Sequence, residues 1–467
     1  MIERGPTPAH RLPFHFQAHG GVGRLVLTEL PVGLLTVERL ELEVTDLGTD
    51  PGVAIAERFQ RRRTRLRALA LRVSARAIEE RLAAIARPLA ELGVTRLAAH
   101  LHDGYIGVRA RAADGLAAAD VSFHVELLGA GTHLRALASE IRVHGHLPTP
   151  GPVIADRVLT ALLGAGEPAE APAADDQPRP RGLCDVEVDV VGALLWALLP
   201  PSGWRLPAVS ELELTHLRVA RAAIDLSYGP AGARAGELPV RPATGKLAAA
   251  HDLMHSVDLQ LRDGHGEDAM RGYRALLAAA GPDQPHVLER MLAVAAARPA
   301  WFFDGLELAR QALGRWPRFA AAHAALASIT LAQGDARDAA GHLDRLAGQA
   351  AALGDDDQAA LAALAAARLL RVLDPPAATQ LYQLAVEHDP GSAEAVDALA
   401  DRLADEARWA ELVRLLRGRL AEVTPTADPA ARARRVQLHL RLAGVLADQL
   451  ADRAGARAEL DAALAHA

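Results

Sequence analysis

The stretch AAHAALASITLAQGDARDAAGHLDRLAGQAAALGDDDQAALAALAAARLLRVLDPPAATQLYQLAVEHDP, residues 321–390, decides how the rest of the chain is read. Small residues recur in it at fixed places. Leu326-Ala327, Gly334, Ala339 and Leu343 form one set, and Ala365-Ala366, Ala378, Tyr382, Ala385 and Pro390 form the next. Small side chains let two helices approach, and Leu343 fills the gap between them. Pro390 ends a helix because proline has no N–H and its ring clashes with the preceding turn. A step of about 34 residues leads forward to Leu399-Ala400, Leu412 and Leu416, and back to Leu292-Ala293, Ala309, Ala312 and Pro317. One step further back lie Ala269 and Tyr273. A longer step, its excess absorbed by Thr424-Pro425-Thr426-Ala427-Asp428-Pro429, reaches Gly444, Ala456, Leu460 and Ala463.

This pattern resembles the tetratricopeptide repeat, whose helix pairs stack into an α-solenoid. The resemblance covers residues 246–467 and implies about six helix pairs, with Ala327, Ala339, Ala366, Ala378, Tyr382, Ala400, Gly444 and Ala456 at the packing positions. The family's large aromatic positions are mostly Leu, Ala or Thr here, and Leu412 and Gly305 stand where the register is least regular. The resemblance implies that the repeats bind a protein partner. The closing proline of the last set would fall one residue past Ala467, so a longer array stays open.

Half of the 467 residues are hydrophobic and only 3% are aromatic, so the cores must be built of Ala, Leu and Val. Against 51 basic residues stand 58 acidic ones, a net charge of -7 that argues against bulk attraction to nucleic acid. A single cysteine, Cys184, excludes an intrachain disulfide and fits a reducing compartment. The start, Met1-Ile2-Glu3-Arg4-Gly5-Pro6, lacks the marks of a signal peptide, and the longest apolar run, Val190 to Leu199, is too short for a membrane span. The expected location is the cytoplasm, with peripheral membrane association left open.

Upstream of the repeats the period changes from helical to two. Leu40, Leu42 and Val44 alternate with Arg39, Glu41 and Glu43, and Val121, Phe123 and Val125 alternate likewise, as do Ile141 and Val143. Between strands, Ser74 is an N-cap for a helix that places Ile78, Leu82, Ile85 and Leu89 on one face before Gly93 stops it. His102-Asp103-Gly104-Tyr105 carries the Asp-Gly signature of a hairpin turn. Strand, helix, strand, strand occurs at 66–110 and again at 185–228, which suggests two similar halves joined by the Ala- and Pro-rich linker 165–182. The expected fold is therefore multidomain. An α+β domain over 1–235, an antiparallel, strongly curved sheet with few helices, is followed after a second linker at 230–245 by the all-α solenoid.

A sheet with one apolar face must cover it. Few helices are available, so the face is either closed into an ordinary core or left partly open as a groove. Strand-rich halves that wrap a helix are similar to the tubular lipid-binding superfamily, a likeness of pattern over 20–230 that carries no site motif. It implies a lipid or other apolar ligand on the face formed by Leu40, Leu42, Val44, Val121, Phe123, Val125, Ile141 and Val143. Arg61, Arg62, Arg63, Arg65 and Arg67 would suit anionic head groups, or simply guard a strand edge. His100, His102, His124, His144 and His146 fall on the polar side of their strands, but no carboxylate or cysteine completes a metal motif with them. No P-loop, nucleophile elbow or metalloprotease pair occurs. No enzyme activity, metal or cofactor is expected. The expected function is a non-catalytic interaction scaffold with an N-terminal domain suited to an apolar ligand; the alternative is a soluble lipid carrier docked to a complex through its repeats.

Overall fold

Residues 12, 14–19, 22–44, 62, 64–164, 179–230, 242–422 and 429–466 are described by the computed structural model. The chain begins with β1 (His15–His19), β2 (Val22–Val32), β3 (Leu35–Val44) and β4 (Arg65–Ser74), then α1 (Ala75–Glu91). It repeats that plan with β5 (Val94–His102), β6 (Tyr105–Asp114), β7 (Ala117–Ala130) and β8 (His133–His144), then α2 (Gly151–Leu163). Two hairpins follow, β9 (Arg179–Gly182) with β10 (Asp185–Val188), and β11 (Leu212–Ala220) with β12 (Ala223–Pro230), separated by α3 (Val190–Leu198).

The strands form two six-stranded sheets, ordered β1-β2-β3-β4-β12-β11 and β5-β6-β7-β8-β10-β9. One strongly curved sheet was the expectation, and the antiparallel α+β class is what the structure has. The internal symmetry is also placed differently from the expected pair at 66–110 and 185–228. Each sheet is a four-stranded meander followed by a helix and completed by one of the two later hairpins, so both similar units precede residue 165. Residues 165–178 of the expected linker lie outside the described residues, as do 231–241 of the second.

Each sheet keeps one apolar face despite irregular strands. Leu25 and Leu27 give way to Leu30 and Val32 in β2 across Glu29, which has φ +56°, and the pairing of β3 with β4 shifts register between Val37 and Arg39. Such bulges let the same face stay apolar when the alternation in the sequence changes phase. The opposite face of the first sheet is laced by cross-strand ion pairs, Arg72 to Asp225 at 2.8 Å and to Glu38 at 2.7 Å, and Arg67 to Glu43 at 2.7 Å. The sheets are joined along β11, where Leu214 N donates to Gly131 O and Gly104 N donates to Val219 O, at 2.9 and 3.0 Å. At Gly129 a Cβ would lie 2.4 Å from Leu214 Cδ2, so the strands approach there only because glycine has no side chain.

Helices α4 (Pro242–Arg262), α5 (Gly266–Ala280), α6 (Pro285–Ala297), α7 (Phe302–Arg315), α8 (Ala320–Ala332), α9 (Ala336–Leu353), α10 (Asp356–Leu373), α11 (Pro375–His388), α12 (Ala393–Asp405), α13 (Trp409–Glu422), α14 (Pro429–Asp448) and α15 (Arg453–His466) make up the rest. Asp335, Asp355, Asp374 and Ser392 each cap a helix by accepting from the backbone N–H three residues on. One core of Ala and Leu runs through this helical array from Ala324 to Ala456. Gly305 lets its helix approach the next one, since a Cβ there would lie 2.8 Å from Ile329 Cδ1.

The chain divides into two compact units, Met1–Ile141 with Leu147–Val294, and Arg142–His146 with Ala295–Ala467. The sequence placed the change at 235–246. Strand does give way to helix between Pro230 and Pro242, but α4, α5 and most of α6 belong with the sheets. The reason is a set of buried charges described below.

Of the expected repeat positions, Ala327, Ala339, Ala366, Ala378, Tyr382, Ala400 and Ala456 are buried. Gly444 is exposed, with open space around it. The buried stripe of α14 is Leu438, Leu442 and Leu446, which puts position 444 on the opposite side of the helix. Ala339 has no exposed surface. Ala339→Leu is therefore expected to overpack its helix pair and cost about 1–3 kcal/mol, read as a lower denaturant midpoint; an unchanged midpoint would contradict the close approach.

Candidate apolar ligand site

Most of the apolar face predicted to hold a ligand is closed core. Leu40, Leu42 and Val121 have no exposed surface, and Val44, Phe123 and Val125 are buried beside them. Ile141 and Val143 are only half-buried, while Arg142 and His144 between and after them are buried. The phase flips at Glu140, whose φ is +49°. Beyond it Arg142–His146 belongs to the second unit, where His146 Nδ1 lies 3.2 Å from Ser328 Oγ and its ring meets Phe302 edge-on. Burial lowers the His146 pKa.

A cavity of about 460 Å³ remains within the first unit, further along the same faces. From the first sheet its walls take Val32, Gly33 and Leu34 at the β2–β3 turn, Leu35, Val73, Ile224 and Leu226. The second sheet supplies Ile106, Leu127, Leu134 and Val188. The rest comes from helices: Ile78 and Arg81 of α1, Leu162 and Leu163 of α2, and Val190, Ala193, Leu194 and Ala197 of α3. Leu127 continues the Phe123 and Val125 side of β7, but none of the eight residues expected to form a ligand face lines this cavity. Its size lies in the range of ligand pockets, ~300–1,000 Å³, and its walls are apolar as such pockets usually are.

The mouth of the cavity is visible in the exposure of its lining. Ile78, Ile106, Leu134, Ile224 and Leu226 are buried, Leu34, Leu35, Leu162 and Val188 are half-buried, and Ala193 and Ala197 are exposed. Helix α3 carries no charged residue from Val190 to Leu198 and leaves Trp196 40% exposed beside these alanines. Its N-terminus is fixed by Asp189, which accepts from Gly192 N at 2.8 Å.

Arg81 is the one charged residue in the walls among the described residues. Its Nε donates to Leu162 O at 3.1 Å and its Nη2 to Ala161 O at 2.7 Å, at the C-terminal turn of α2. Burial lowers its pKa, since it is partly desolvated. Nothing in the sequence separates Arg81 from the other arginines of α1, because the feature that matters is a helix end some eighty residues away.

Only part of the arginine run expected at a groove mouth is described. Arg61 and Arg63 fall outside the described residues, and Arg65 and Arg67 pair with carboxylates across the strands, Arg67 with Glu43 and both with Glu211. The Arg67 guanidinium, donating to Glu43, holds that carboxyl below its ordinary range against the opposing effect of burial. Neither Arg65 nor Arg67 lines the cavity. The rings of His102 and His124 stack on Tyr105, with centroids 4.6 and 4.1 Å away, and His100 lies 3.2 Å from Arg109. Among the described residues no group of three or more His, Cys, Asp or Glu is placed to hold a metal ion.

A second group of polar residues is buried without forming a cavity wall. Arg135 grips Asp185 with two hydrogen bonds, 2.9 and 2.7 Å, and reaches Asp252 of α4 at 2.8 Å. Thr244 donates to Glu126 at 2.5 Å, and Leu247 and Ala248 pack on Leu137, so α4 lies along the second sheet. Tyr273 of α5 donates to Asp258 at 2.5 Å, and Arg290 of α6 lies 3.6 Å from the same carboxylate. Burial pushes the Asp258 carboxyl and the Tyr273 hydroxyl up. Cys184, at the β9–β10 turn with φ +64°, donates its thiol to Pro152 O at 3.1 Å and its backbone N–H to Asp156 at 2.7 Å. Burial raises the thiol pKa as well, so Cys184 stays protonated and is no nucleophile at neutral pH. These groups tie α4 to α6 to the sheets, and they are what moves the compact division to Val294.

No helix among the described residues is long and apolar enough to cross a membrane. Neither a family model nor a curated protein matches the sequence. One similar solved structure is BtubC (BKLC) from P. vanneervenii, 18% identical over 45% of this chain and 90% of that chain, with a TM-score of 0.28, too low to carry an argument.

Proposed function

We propose that this chain is a non-catalytic binding protein whose first unit takes up an apolar ligand and whose helical array engages a protein partner. The observation that carries this reading is the cavity of about 460 Å³ whose walls, Arg81 apart, are apolar. Withdrawal of a ligand's apolar surface from water contributes about 25 cal/mol per Å², which is enough for binding without any charged contact. Among the described residues these walls offer no nucleophile or general base. The array is of the two-helix kind, and its small residues at Ala327 and Ala339, then at Ala366 and Ala378, keep the same separation within each helix pair as in the tetratricopeptide pattern, which supports a scaffold role. In the alternative, a soluble lipid carrier, the array serves only to dock the carrier to a complex.

The test is a titration of the full chain, stripped of bound lipid by organic extraction and refolded, with the neutral fluorophore N-phenyl-1-naphthylamine. One saturable site per chain is expected, competed by a long-chain alcohol. Absence of saturable enhancement, with circular dichroism showing the fold intact, would contradict the reading. Transfer of a labelled lipid between vesicles, accelerated by the chain, would favour the carrier.

A further inference from the structure

We propose that the ligand is an amphiphile with one anionic end, a carboxylate or phosphate, and that Arg81 receives that end. This rests on the cavity being a ligand site and adds the chemistry of what enters it. An arginine presents five N–H donors in a planar fork. Two of these groups, Nε and Nη2, are engaged by Leu162 O and Ala161 O, and both acceptors are neutral. No carboxylate lies within ion-pair distance of Arg81 among the described residues. The contrast within the same unit is sharp: Arg67, Arg72 and Arg135 each hold a carboxylate at 2.8 Å or less.

An uncompensated charge against an apolar wall is unfavourable unless something pairs with it. The carbonyls of α2 orient the guanidinium but cannot neutralise it. A carboxylate or phosphate can accept from the guanidinium's free edge in the bidentate manner that these groups favour, while its acyl chain occupies the space between the sheets. The exposed side of the cavity, at Ala193 and Ala197, gives such a molecule a way in. The competing role for Arg81 is purely structural, capping the last carbonyls of α2.

The experiment measures binding of cis-parinaric acid, of its methyl ester and of an oleoyl lysophosphatidic acid competitor to the full chain and to two variants, Arg81→Leu and Arg81→Lys. The acid is expected to bind at least about tenfold tighter than the ester, Arg81→Leu to remove that preference without weakening the ester, and Arg81→Lys to keep part of it. Displacement of the acid by lysophosphatidic acid at lower concentration than by oleic acid assigns a phosphate, and the reverse order assigns a carboxylate; either supports the inference. Equal binding of acid and ester, or a loss of both in Arg81→Leu, overturns it and leaves Arg81 as a helix cap. If neither probe binds the wild-type chain, the cavity itself is no ligand site and the inference falls with it. Should Arg81→Leu fail to fold by circular dichroism, the acid-to-ester ratio in the wild type and in Arg81→Lys decides.

Discussion

Replacing Ala193 with tryptophan should weaken uptake of N-phenyl-1-naphthylamine by more than tenfold while leaving the fold intact. Ala193 lines the cavity and is exposed on α3, so its side chain has room to grow without displacing core. An indole is the largest apolar group available, and filling the space from the wall competes directly with a ligand for the same apolar contacts. The helix penalty is small, since tryptophan is worse than alanine by less than about 0.7 kcal/mol in a helix. The check is a probe titration beside a thermal melt. Unchanged binding with an unchanged melt would mean that the probe sits elsewhere. A buried position such as Phe123, 1% exposed, would be a poorer test, because a charge there breaks the core as well as any site.

The second large effect is on stability. Arg135→Met is expected to cost about 3–5 kcal/mol, because it leaves Asp185 buried without its partner. The arginine and Asp185 side chains are 6% and 3% exposed, and the pair is bidentate. Asp252, with 58% of its side chain exposed, turns back to water when the arginine goes. The double replacement Arg135→Met with Asp185→Leu should recover most of the loss, since the desolvation of both charges is then avoided. Equilibrium denaturation read in the near ultraviolet measures this. A single replacement that costs under about 1 kcal/mol would place the pair among ordinary surface bridges and would remove the reason given for α4 to α6 belonging with the sheets.

What could be read from the sequence is what is local. Ser74 accepts from Ala77 N at 3.1 Å, and Ile78, Leu82, Ile85 and Leu89 are the buried face of α1, as their spacing requires. His102 faces Tyr105 across the expected turn. The small residues of the array were legible because two helices approach closely only where the side chains between them are small. Gly444 was misplaced because its helix buries the stripe of Leu438, Leu442 and Leu446 instead. The two sheets were not legible, since β4 pairs with β12, Leu69 against Tyr228, across most of the unit. Ile141 and Val143 alternate correctly in sequence, but one residue with positive φ at Glu140 reverses which of their neighbours is buried. The cavity has no sequence signature because its walls come from between Val32 and Leu226, and an unfilled space is set by volumes that no periodicity records. The carboxylates and arginines around Cys184, spread from Asp156 to Arg290, were not legible.

The proposed function rests on the first unit carrying a ligand in the space between its sheets. Native mass spectrometry of the full chain, purified without detergent and sprayed from ammonium acetate, tests it most directly. The expected spectrum contains the bare chain and one adduct of a few hundred daltons at one copy per chain, roughly the size such a pocket holds. The adduct should leave on collisional activation or organic extraction and be absent from Ala193→Trp. A spectrum of the folded wild-type chain with no adduct, unchanged after incubation with long-chain fatty acid and fatty alcohol, would contradict the claim.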